Sequence, residues 1–369
     1  MWPPCSTVGG MATAPVDDAA VRAFEARLFE ILDTSAQAIF ISMGHKAGLF
    51  GTMAGMPRAS AENIAKEAGL NERYVREWLD GMTVGGIVDY DPQDGTYTLP
   101  PERATVLTGQ DESCMAGHAQ MIPLLAAIEP QIIEHFREGG GIPYAAYADL
   151  DWGVEVGNKD WDAAFIDDIL PLGPGLVERL EAGADVADVG CGEGHKTNLM
   201  ARAFPGSRFT GYDFLQVSID AARAEAAEMG LTNITFEVRD VAELGLHESL
   251  DVLCVFDAVH DQARPRTVLR AIHEALRPDG MLFISEIRAS SALEENVGRP
   301  LAAYLYLWSI LHCMTVSLEQ GGDGLGAMWG EQTARTYLTD AGFEVLTVAR
   351  PPADPINSYF TCRRATAPA

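Results

Sequence analysis

A glycine-rich turn, DVGCGEG at 188–194, follows a short apolar stretch and is itself followed by His195. Glycines let the backbone turn sharply and approach a ligand closely, so a strand, this turn and a helix predict a nucleotide-type site. The dinucleotide fingerprint requires glycine at position 195 to admit a pyrophosphate, and His195 is too bulky for that role. We therefore expect a nucleoside-like ligand with no pyrophosphate at this turn.

The acids that follow the turn have the spacing of nucleoside ligands. Asp213 ends the second predicted strand, 25 residues after Asp188. A carboxylate at that position can accept hydrogen bonds from both ribose hydroxyls. Phe214, beside it, offers an apolar face for a base.

Two more strand ends carry polar residues. Asp240 can accept a hydrogen bond from an exocyclic amine while Val241 packs on the ring, and the fourth strand ends in Phe256 and Asp257. Any one of these acids alone is typical of a solvated loop or a helix cap. Four acids in register at one sheet edge instead favour a cationic, polyhydroxylated ligand that carries amines.

Alternating strands and helices must position these residues. A doubly wound, Rossmann-like α/β sheet of seven strands is predicted for 175–369, with its last two strands antiparallel because no helix joins them. The predicted strands are 185–189, 208–212, 234–239, 251–256, 281–286, 343–349 and 358–363. The predicted helices between them are 195–204, 216–229, 266–276 and 331–341.

An α-helical winged-helix domain is predicted for 21–110. Ser60 and Asn71 are N-cap residues of two short helices separated by a turn at Gly69, and a β-hairpin follows near Tyr90 and Tyr97. We expect residues 1–20 to form a disordered tail. A helical connector is expected at 111–174, with Pro and Gly marking its end.

Charge argues against nucleic acid as a partner of this winged helix. Between positions 58 and 110 nine acidic residues oppose five basic ones, and the whole chain carries a formal charge of −27. Such a surface repels phosphate and anionic membranes. A packing or dimerisation module is therefore favoured. A regulator whose second domain senses a ligand stays the alternative.

Residues 175–364 resemble a class I S-adenosylmethionine-dependent methyltransferase. The resemblance rests on DVGCGEG, the Asp213 of GYDF, RDV at 239–241, FDAVHD at 256–261, LRPDG at 276–280 and the reversed last strand. With the winged helix and connector, the whole chain is similar to dimeric small-molecule O-methyltransferases of the caffeate and antibiotic type. It looks closest to actinobacterial, mycobacterial-type proteins.

The resemblance implies a homodimer and a set of cofactor residues. Gly190 and Gly192, with Cys191 between them, would contact the methionine end near Asp188. Asp213 would bind the ribose, and Asp240 and Val241 would contact the adenine. The main chain at Phe256 and Asp257 would face the sulfonium. A protein with such a pocket could instead transfer an aminopropyl group or serve as a purely structural subunit. Aminopropyl transfer favours more acids around the acceptor.

Methyl transfer to a hydroxyl is helped by a base. His260 lies on the loop after the fourth strand, and the caffeate-type enzymes carry their catalytic His-Asp pair at the matching position. Asp261 either orients the imidazole or caps the helix near Pro265, and Gln262 replaces the family's aromatic residue. His260 as a base and His260 as a mere pocket-floor residue both stay open.

An insertion at 288–328 separates the fifth strand from the last helix. Its apolar helix and glycine-rich loop favour either a lid over a hydrophobic acceptor or a buried dimer-interface helix. Trp308, His312, Met328 and Trp329 are candidates for the pocket wall, and His312 is a second candidate base.

Composition limits the remaining possibilities. None of the six cysteines forms a C-x-x-C pair, which argues against a structural zinc site or a disulfide framework and favours a reducing cytoplasm. The longest apolar run, 301–314, is too short to span a bilayer. No metal site can be assembled from spacing alone.

Overall fold

The computed structural model describes residues 16–109, 115–147 and 159–365. The chain divides into two compact units, Met1–Gln110 with Cys114–Ile122, and Asp111–Ser113 with Pro123–Ala369. Residues 1–15 of the predicted tail lie outside the described part, and the first helix begins at Asp18, inside that tail. The predicted connector is shared between the two units rather than standing apart.

The first unit has the helix and hairpin order of a winged helix. Its elements are α1 (Asp18–Lys46), α2 (Leu49–Met53), α3 (Ala61–Ala68), α4 (Glu72–Val84), β1 (Asp89–Asp91), β2 (Thr96–Thr98), α5 (Pro101–Thr108) and α6 (Met115–Ala119). The predicted N-caps are confirmed, because Ser60 accepts from the amide of Asn63 and Asn71 accepts from that of Arg73. Strands β1 and β2 pair as an antiparallel hairpin.

Helix α1 exposes an apolar face. Its apolar residues recur at helical spacing, but Phe24 is 63% exposed and Leu32 is 65% exposed. Leu28 and Ile31, on the same face, are also exposed. The face is thus not covered within the described first unit. A contiguous exposed apolar stripe of this kind is typical of an interaction surface.

The second unit contains a seven-stranded sheet. Its strands are β3 (Asp185–Val189), β4 (Arg208–Asp213), β5 (Ile234–Val238), β6 (Leu250–Phe256), β7 (Leu276–Ile287), β8 (Phe343–Ala349) and β9 (Asn357–Arg364). Their order is β5-β4-β3-β6-β7-β9-β8. Strands β3 to β7 pair in parallel, while β9 is antiparallel to both β7 and β8. The Rossmann-like sheet with a reversed last strand is therefore confirmed.

Helices cover both faces of this sheet. The α-helices are α7 (Met121–Ala126, which begins in the first unit), α8 (Glu129–Glu138), α9 (Lys159–Ala164), α10 (Leu176–Ala182), α11 (His195–Ala203), α12 (Gln216–Glu228), α13 (Pro265–Ala275), α14 (Ala302–Trp308), α15 (Met314–Glu319) and α16 (Glu331–Asp340). Two π-helical turns, Phe165–Ile169 and Ser309–Cys313, extend α9 and join α14 to α15. Within the described ranges, no helix combines the length and apolarity needed to cross a membrane.

The topology fixes where a ligand can bind. Chain order reverses on either side of β3, which lies between β4 and β6. In open α/β sheets the ligand crevice lies outside the carboxyl ends of the strands at such a switch point. Every predicted cofactor residue follows or ends one of β3, β4, β5 and β6.

Candidate active site

The glycine turn connects β3 to α11 at this carboxyl edge. Gly190 has φ +73°, and a Cβ placed on it would lie 2.7 Å from the Cβ of Ala258. Gly192 has φ +54° and faces open space. The amides of Gly190 and Cys191 donate to the carbonyl oxygen of Tyr212 at 2.8 and 3.1 Å. The turn is therefore held against β4 and the loop after β6, while its side at Gly192 stays open to a ligand.

His195 does not crowd the turn, contrary to our expectation. Its ring lies between two carboxylates, with Nε2 2.9 Å from Asp162 Oδ1 and Nδ1 2.5 Å from Glu225 Oε1. Burial opposes the charged ring, yet these acids raise the pKa of His195. The close packing expected at position 195 occurs one residue earlier, at Gly194, where a Cβ would lie 2.6 Å from that of Ala222.

Two buried carboxylates flank the turn. Asp188 is 2% exposed and accepts from Thr197 Oγ1 at 2.5 Å, while its Oδ1 has no hydrogen-bond partner among the described residues. Burial raises the pKa of Asp188 to about 6. Asp213 accepts from the amides of Gly192 at 3.0 Å and Leu215 at 2.9 Å. Both acids keep acceptor capacity for a ligand.

A cavity of about 180 Å³ opens at the same carboxyl edge of the sheet, and Asp188, Asp213, the glycine turn and His260 are not among the residues that line it. Phe214 and the buried Val241 line it, as does Asp240, whose carboxylate accepts from the amide of Ala242 and pairs with Arg264, both at 2.8 Å. A larger cavity of about 390 Å³ lies at the opposite edge of the sheet and contains none of the predicted site residues. The carboxyl-edge cavity is the candidate site because parallel strands bind ligands there.

The backbone after β6 is strained. Asp257 has φ +56°, a conformation that costs an ordinary residue energy and that recurs at functional sites. Asn357 Nδ2 donates to Asp257 Oδ2 at 3.1 Å, and Lys196 Nζ lies 3.8 Å from the same oxygen. The Lys196 ammonium is also 4.9 Å from the centre of the Phe256 ring. These contacts fix the main chain that faces the crevice.

His260 is buried and tightly paired. It is 2% exposed, and its Nδ1 lies 2.5 Å from Oε2 of Glu286, which ends β7. The same carboxylate accepts from Trp329 Nε1 at 3.0 Å and from the amide of Val259 at 3.2 Å. A carboxylate only accepts, so Nδ1 carries a proton; the second proton of the charged ring sits on Nε2, which holds the lone pair only in the neutral form. Trp329, predicted as a pocket wall, here anchors Glu286.

Asp261 lies on the other side of the imidazole. Its Oδ1 is 3.3 Å from His260 Nε2, and its Oδ2 accepts from Tyr144 Oη at 3.4 Å. Helix α13 has no side-chain N-cap, so Asp261 contacts the imidazole instead of capping that helix. Burial alone lowers the pKa of His260, but the charges of Glu286 and Asp261 raise it well above its usual value.

His312 reaches the same acid within an aromatic group. Its Nδ1 lies 3.8 Å from Asp261 Oδ2. The rings of Tyr147, Tyr144 and Trp308 surround it, with centroids at 4.9, 5.5 and 6.4 Å. Burial lowers the pKa of His312. Met328, another predicted wall residue, packs in a small buried cluster with Ala289 and Leu305.

The insertion packs over the loop after β6. Ser317 Oγ donates to the carbonyl oxygen of Gln262 at 2.9 Å. The amide of Asp323 donates to the carbonyl oxygen of Ala263 at 3.1 Å. Segment 141–147 joins it, since the amide of Ile142 donates to Thr315 Oγ1 at 2.9 Å. The insertion therefore contributes the wall that carries His312 and Cys313.

Two residues of this cluster escaped the sequence analysis. Glu286 carries a signal that was available, because it ends a predicted strand at the same edge as the other acids. Cys313 carries none, because it reaches His260 only through the tertiary packing of the insertion; the two side chains hydrogen-bond.

Two protein-family models match this chain. A family model described as a methyltransferase domain matches residues 180–339, and one described as an Rv2258c-like winged HTH domain matches residues 35–109. The chain therefore combines an N-terminal winged-helix domain with a methyltransferase domain of the S-adenosylmethionine-dependent kind. None of the comparisons favours a regulator.

Solved structures share the fold of this methyltransferase. Mitomycin 7-O-methyltransferase MmcR has a TM-score of 0.66 at 21% identity, covering 95% of this chain and 100% of that one. Human N-acetylserotonin methyltransferase in complex with SAM has a TM-score of 0.63 at 16% identity, covering 96% of this chain and 100% of that one.

Curated relatives match a shorter region. The methyltransferase is 33% identical over 159 residues to a ubiquinone biosynthesis O-methyltransferase of Neisseria meningitidis serogroup A, covering 41% of this chain and 62% of that protein. A protein of the same name from Xanthomonas euvesicatoria is 31% identical over 153 residues, with 39% and 63% coverage. The chain thus spans less than two thirds of the length of these relatives.

Proposed function

We propose that this methyltransferase moves the methyl group of S-adenosylmethionine to a hydroxyl oxygen of a small, partly apolar acceptor, with His260 as the general base. The main support for this proposal is the buried pair beside the ligand crevice, in which His260 Nδ1 lies 2.5 Å from Glu286 Oε2. A carboxylate on Nδ1 leaves Nε2 as the basic atom, as a general base requires.

The crevice has the donors and acceptors that this cofactor needs. The unpartnered Oδ1 of Asp188 suits a cationic amine, and the open space at Gly192 leaves room for the methionine end. Asp213, held by two backbone amides, accepts from the ribose hydroxyls. Phe214 and Val241 supply apolar surface for the adenine.

The bound cofactor supplies a methyl group activated by its sulfonium. The protein aligns the acceptor oxygen with that carbon and excludes water. His260 Nε2 takes the hydroxyl proton as the new O–C bond forms, and the C–S bond breaks to leave a neutral thioether. Glu286 stabilises the imidazolium that results, and Asp261 orients the ring.

Apolar and aromatic side chains define the acceptor class. Tyr144 lies between Phe214, at a ring distance of 5.2 Å, and His312, at 5.5 Å. With Tyr147 and Trp308 these rings give an aromatic wall, which favours a planar or partly apolar alcohol or phenol over a sugar. The relatives are named as O-methyltransferases, which supports oxygen as the acceptor atom.

His312 is the second candidate for the base. It approaches Asp261 at 3.8 Å, and its lowered pKa keeps it neutral at pH 7. The raised pKa of His260 favours its charged ring, so His260 acts as a base from its neutral form. It is favoured over His312 because a carboxylate fixes its tautomer, whereas aromatic rings surround His312. The insertion that carries His312 serves as a lid in this proposal.

The exposed apolar face of α1 supports a homodimer. Phe24, Leu28, Ile31 and Leu32 form one stripe on the helix. A second copy buries such a stripe in a self-complementary interface. The four cysteines of the described residues are all free, which supports a reducing compartment such as the cytoplasm.

Titration calorimetry tests the cofactor first. S-adenosylmethionine and S-adenosylhomocysteine should bind, and NAD should not, because the crevice belongs to a methyltransferase domain. A panel of phenols, hydroxyquinones, aliphatic alcohols and thiols then tests the acceptor, with release of S-adenosylhomocysteine as the readout. Turnover confined to thiols, or binding of NAD alone, contradicts the proposal.

A further inference from the structure

A tryptophan holds the acid behind His260. Trp329 Nε1 donates to Glu286 Oε2 at 3.0 Å, and the same oxygen lies 2.5 Å from His260 Nδ1. One oxygen of Glu286 is thus shared between a neutral N–H and the imidazole. All three side chains are buried. Hydrogen bonds in such a low-dielectric setting act strongly on one another.

The surroundings fix the position of the Trp329 indole. Its ring packs edge-on against Tyr337, with centroids 5.6 Å apart, and Ser291 Oγ donates to the Trp329 carbonyl oxygen at 2.7 Å. The next residue, Gly330, has φ +82°, and a Cβ placed on it would lie 2.1 Å from the amide nitrogen of Ser291. The backbone passes Ser291 so closely that a side chain at 330 does not fit. The loop itself therefore holds the indole toward Glu286.

The hydrogen bond from Trp329 changes how strongly Glu286 attracts the proton on His260. The indole N–H draws negative charge from Oε2, so it weakens the attraction between the carboxylate and the imidazolium. Without that donor the Glu286–His260 pair would bind its proton more tightly, whichever of the two carries it. The N–H of Trp329 therefore favours the neutral imidazole, which is the form that can take a proton from an acceptor.

Titratable groups face His260 from strand β7, from the end of β6 with the loop after it, and from the π-helical turn of the insertion. These groups are Glu286, Asp257, Asp261, His312 and Cys313. The acids and the hydrogen bond with the thiol favour the imidazolium, whereas His312 opposes a second positive charge. Trp329 differs from all of them, because an indole N–H donates without titrating. Its effect on the pair is therefore present at every pH.

We propose that Trp329 is a positioning residue that sets the basicity of His260 through Glu286. The indole fixes the carboxylate against Nδ1 and limits its attraction for the proton. Nε2 is then free of its proton at a lower pH than it would be without the indole. The inference rests on the proposed role of His260 as the base, and it adds the residue that sets the pH range in which that base works.

Histidine titration followed by NMR tests the inference on the full chain without an acceptor. In protein with isotope-labelled histidine, His260→Gln identifies the signals of His260. Trp329→Phe should move the titration of His260 toward higher pH by about one pH unit, the order expected for losing a hydrogen bond to a charged group. Trp78→Phe is the matched control. It removes another buried indole N–H, which donates to the carbonyl oxygen of Phe40 at 2.8 Å, and it should leave the titration unchanged.

A double variant shows whether Glu286 transmits the effect. Glu286→Gln should move the titration of His260 toward lower pH, because the carboxylate charge is lost. Adding Trp329→Phe to Glu286→Gln should then cause no further shift. With a methylated acceptor in hand, the pH profile of kcat/KM should follow the NMR titration. Trp329→Phe should lose activity at neutral pH and regain it at higher pH, which a merely structural defect would not do.

An unchanged His260 titration in folded Trp329→Phe, or an equal shift in the Glu286→Gln background, overturns the inference. Circular dichroism checks folding. If Trp329→Phe does not fold, replacing the indole of Trp329 with benzothiophene removes only the N–H and gives the same test. The two proposals fail separately. Full turnover in His260→Gln contradicts His260 as the base even where the NMR shift is present. Turnover that depends on His260, without a shift in Trp329→Phe, overturns only the role of Trp329.

Discussion

His260 Nδ1 and Glu286 Oε2 lie 2.5 Å apart although the two residues are 26 positions apart in the chain. The parallel register of β6 and β7 pairs Phe256 with Ser285. That register brings the loop after β6 next to the end of β7. The sheet itself therefore sets the tautomer of the histidine, because the acid that fixes the Nδ1 proton is part of a strand.

Replacing His260 with Gln should lower turnover roughly 10²- to 10⁴-fold, the usual contribution of a general base. The affinity for S-adenosylmethionine should change less than about twofold, since His260 lies on the acceptor side. Steady-state kinetics and calorimetry measure the two effects. His247→Gln is the matched control because His247 is exposed and outside the site.

His312→Gln separates the two candidate bases. We expect it to raise KM more than it lowers kcat, because it removes part of the aromatic wall. If His312→Gln abolishes turnover while His260→Gln spares it, the base is His312.

Asp188→Asn should stabilise the protein and impair cofactor binding. The folded-state pKa of Asp188, about 6, lies above its ordinary 3.8, so the native state binds more protons than the unfolded state between these values. The stability that Asp188 contributes is therefore present at low pH and is lost as the pH rises from 3.8 to about 6. The variant's advantage in free energy of unfolding should grow by roughly 1.4 kcal/mol per pH unit there.

Urea unfolding at pH 4 and pH 7 measures the change in that advantage, and calorimetry measures the affinity. We expect at least about tenfold weaker binding of S-adenosylmethionine, since an amide cannot compensate a cationic amine. An advantage that is equal at both pH values would show that the pKa of Asp188 is the same in the folded and the unfolded state.

Gly190→Ala should distort the crevice. The added Cβ would lie 2.7 Å from that of Ala258, and φ is +73°. Gly230→Ala is the matched control, because its φ is +68° but open space surrounds it. Both variants should lose roughly 1–2 kcal/mol from backbone strain. Only Gly190→Ala should also lose cofactor affinity, and equal affinities would refute close packing at the turn.

The double variant Phe24→Glu with Leu32→Glu should be monomeric. Two charges on the exposed stripe of α1 make its burial against a second copy unfavourable. Light scattering coupled to size exclusion should give about twice the 39.8 kDa chain mass for the unmodified protein and one chain mass for the variant. Ala26→Glu, on the opposite face of α1, should stay dimeric. A monomeric unmodified protein would contradict the proposed dimer.

Local patterns predicted most of the fold. Strand β3 was predicted with its observed bounds, Asp185–Val189, because a short apolar run before a glycine turn leaves little choice. The N-caps Ser60 and Asn71 follow equally from local hydrogen bonding. The periodicity of the apolar residues in α1 shows that the helix has an apolar face, but it does not show what covers that face.

The site was less accessible to sequence reasoning. A search for polar residues at the carboxyl ends of predicted strands finds residues that the sheet positions, such as Asp188 and Asp213. The same search would have found Glu286. It cannot find Cys313, which comes from an insertion whose position depends on packing with distant segments. It also cannot tell which way His195 points, since both a crowded turn and a solvent-facing ion pair fit the same sequence.

The reversed strand has a consequence for synthesis. Strand β9 lies between β7 and β8, and its Ser358 pairs with Glu286. During translation the acid behind the histidine thus lacks one neighbouring strand until nearly the last residues of the described chain leave the ribosome. A nascent chain can complete its winged helix early, but its reaction centre is complete only after β9 has been synthesised.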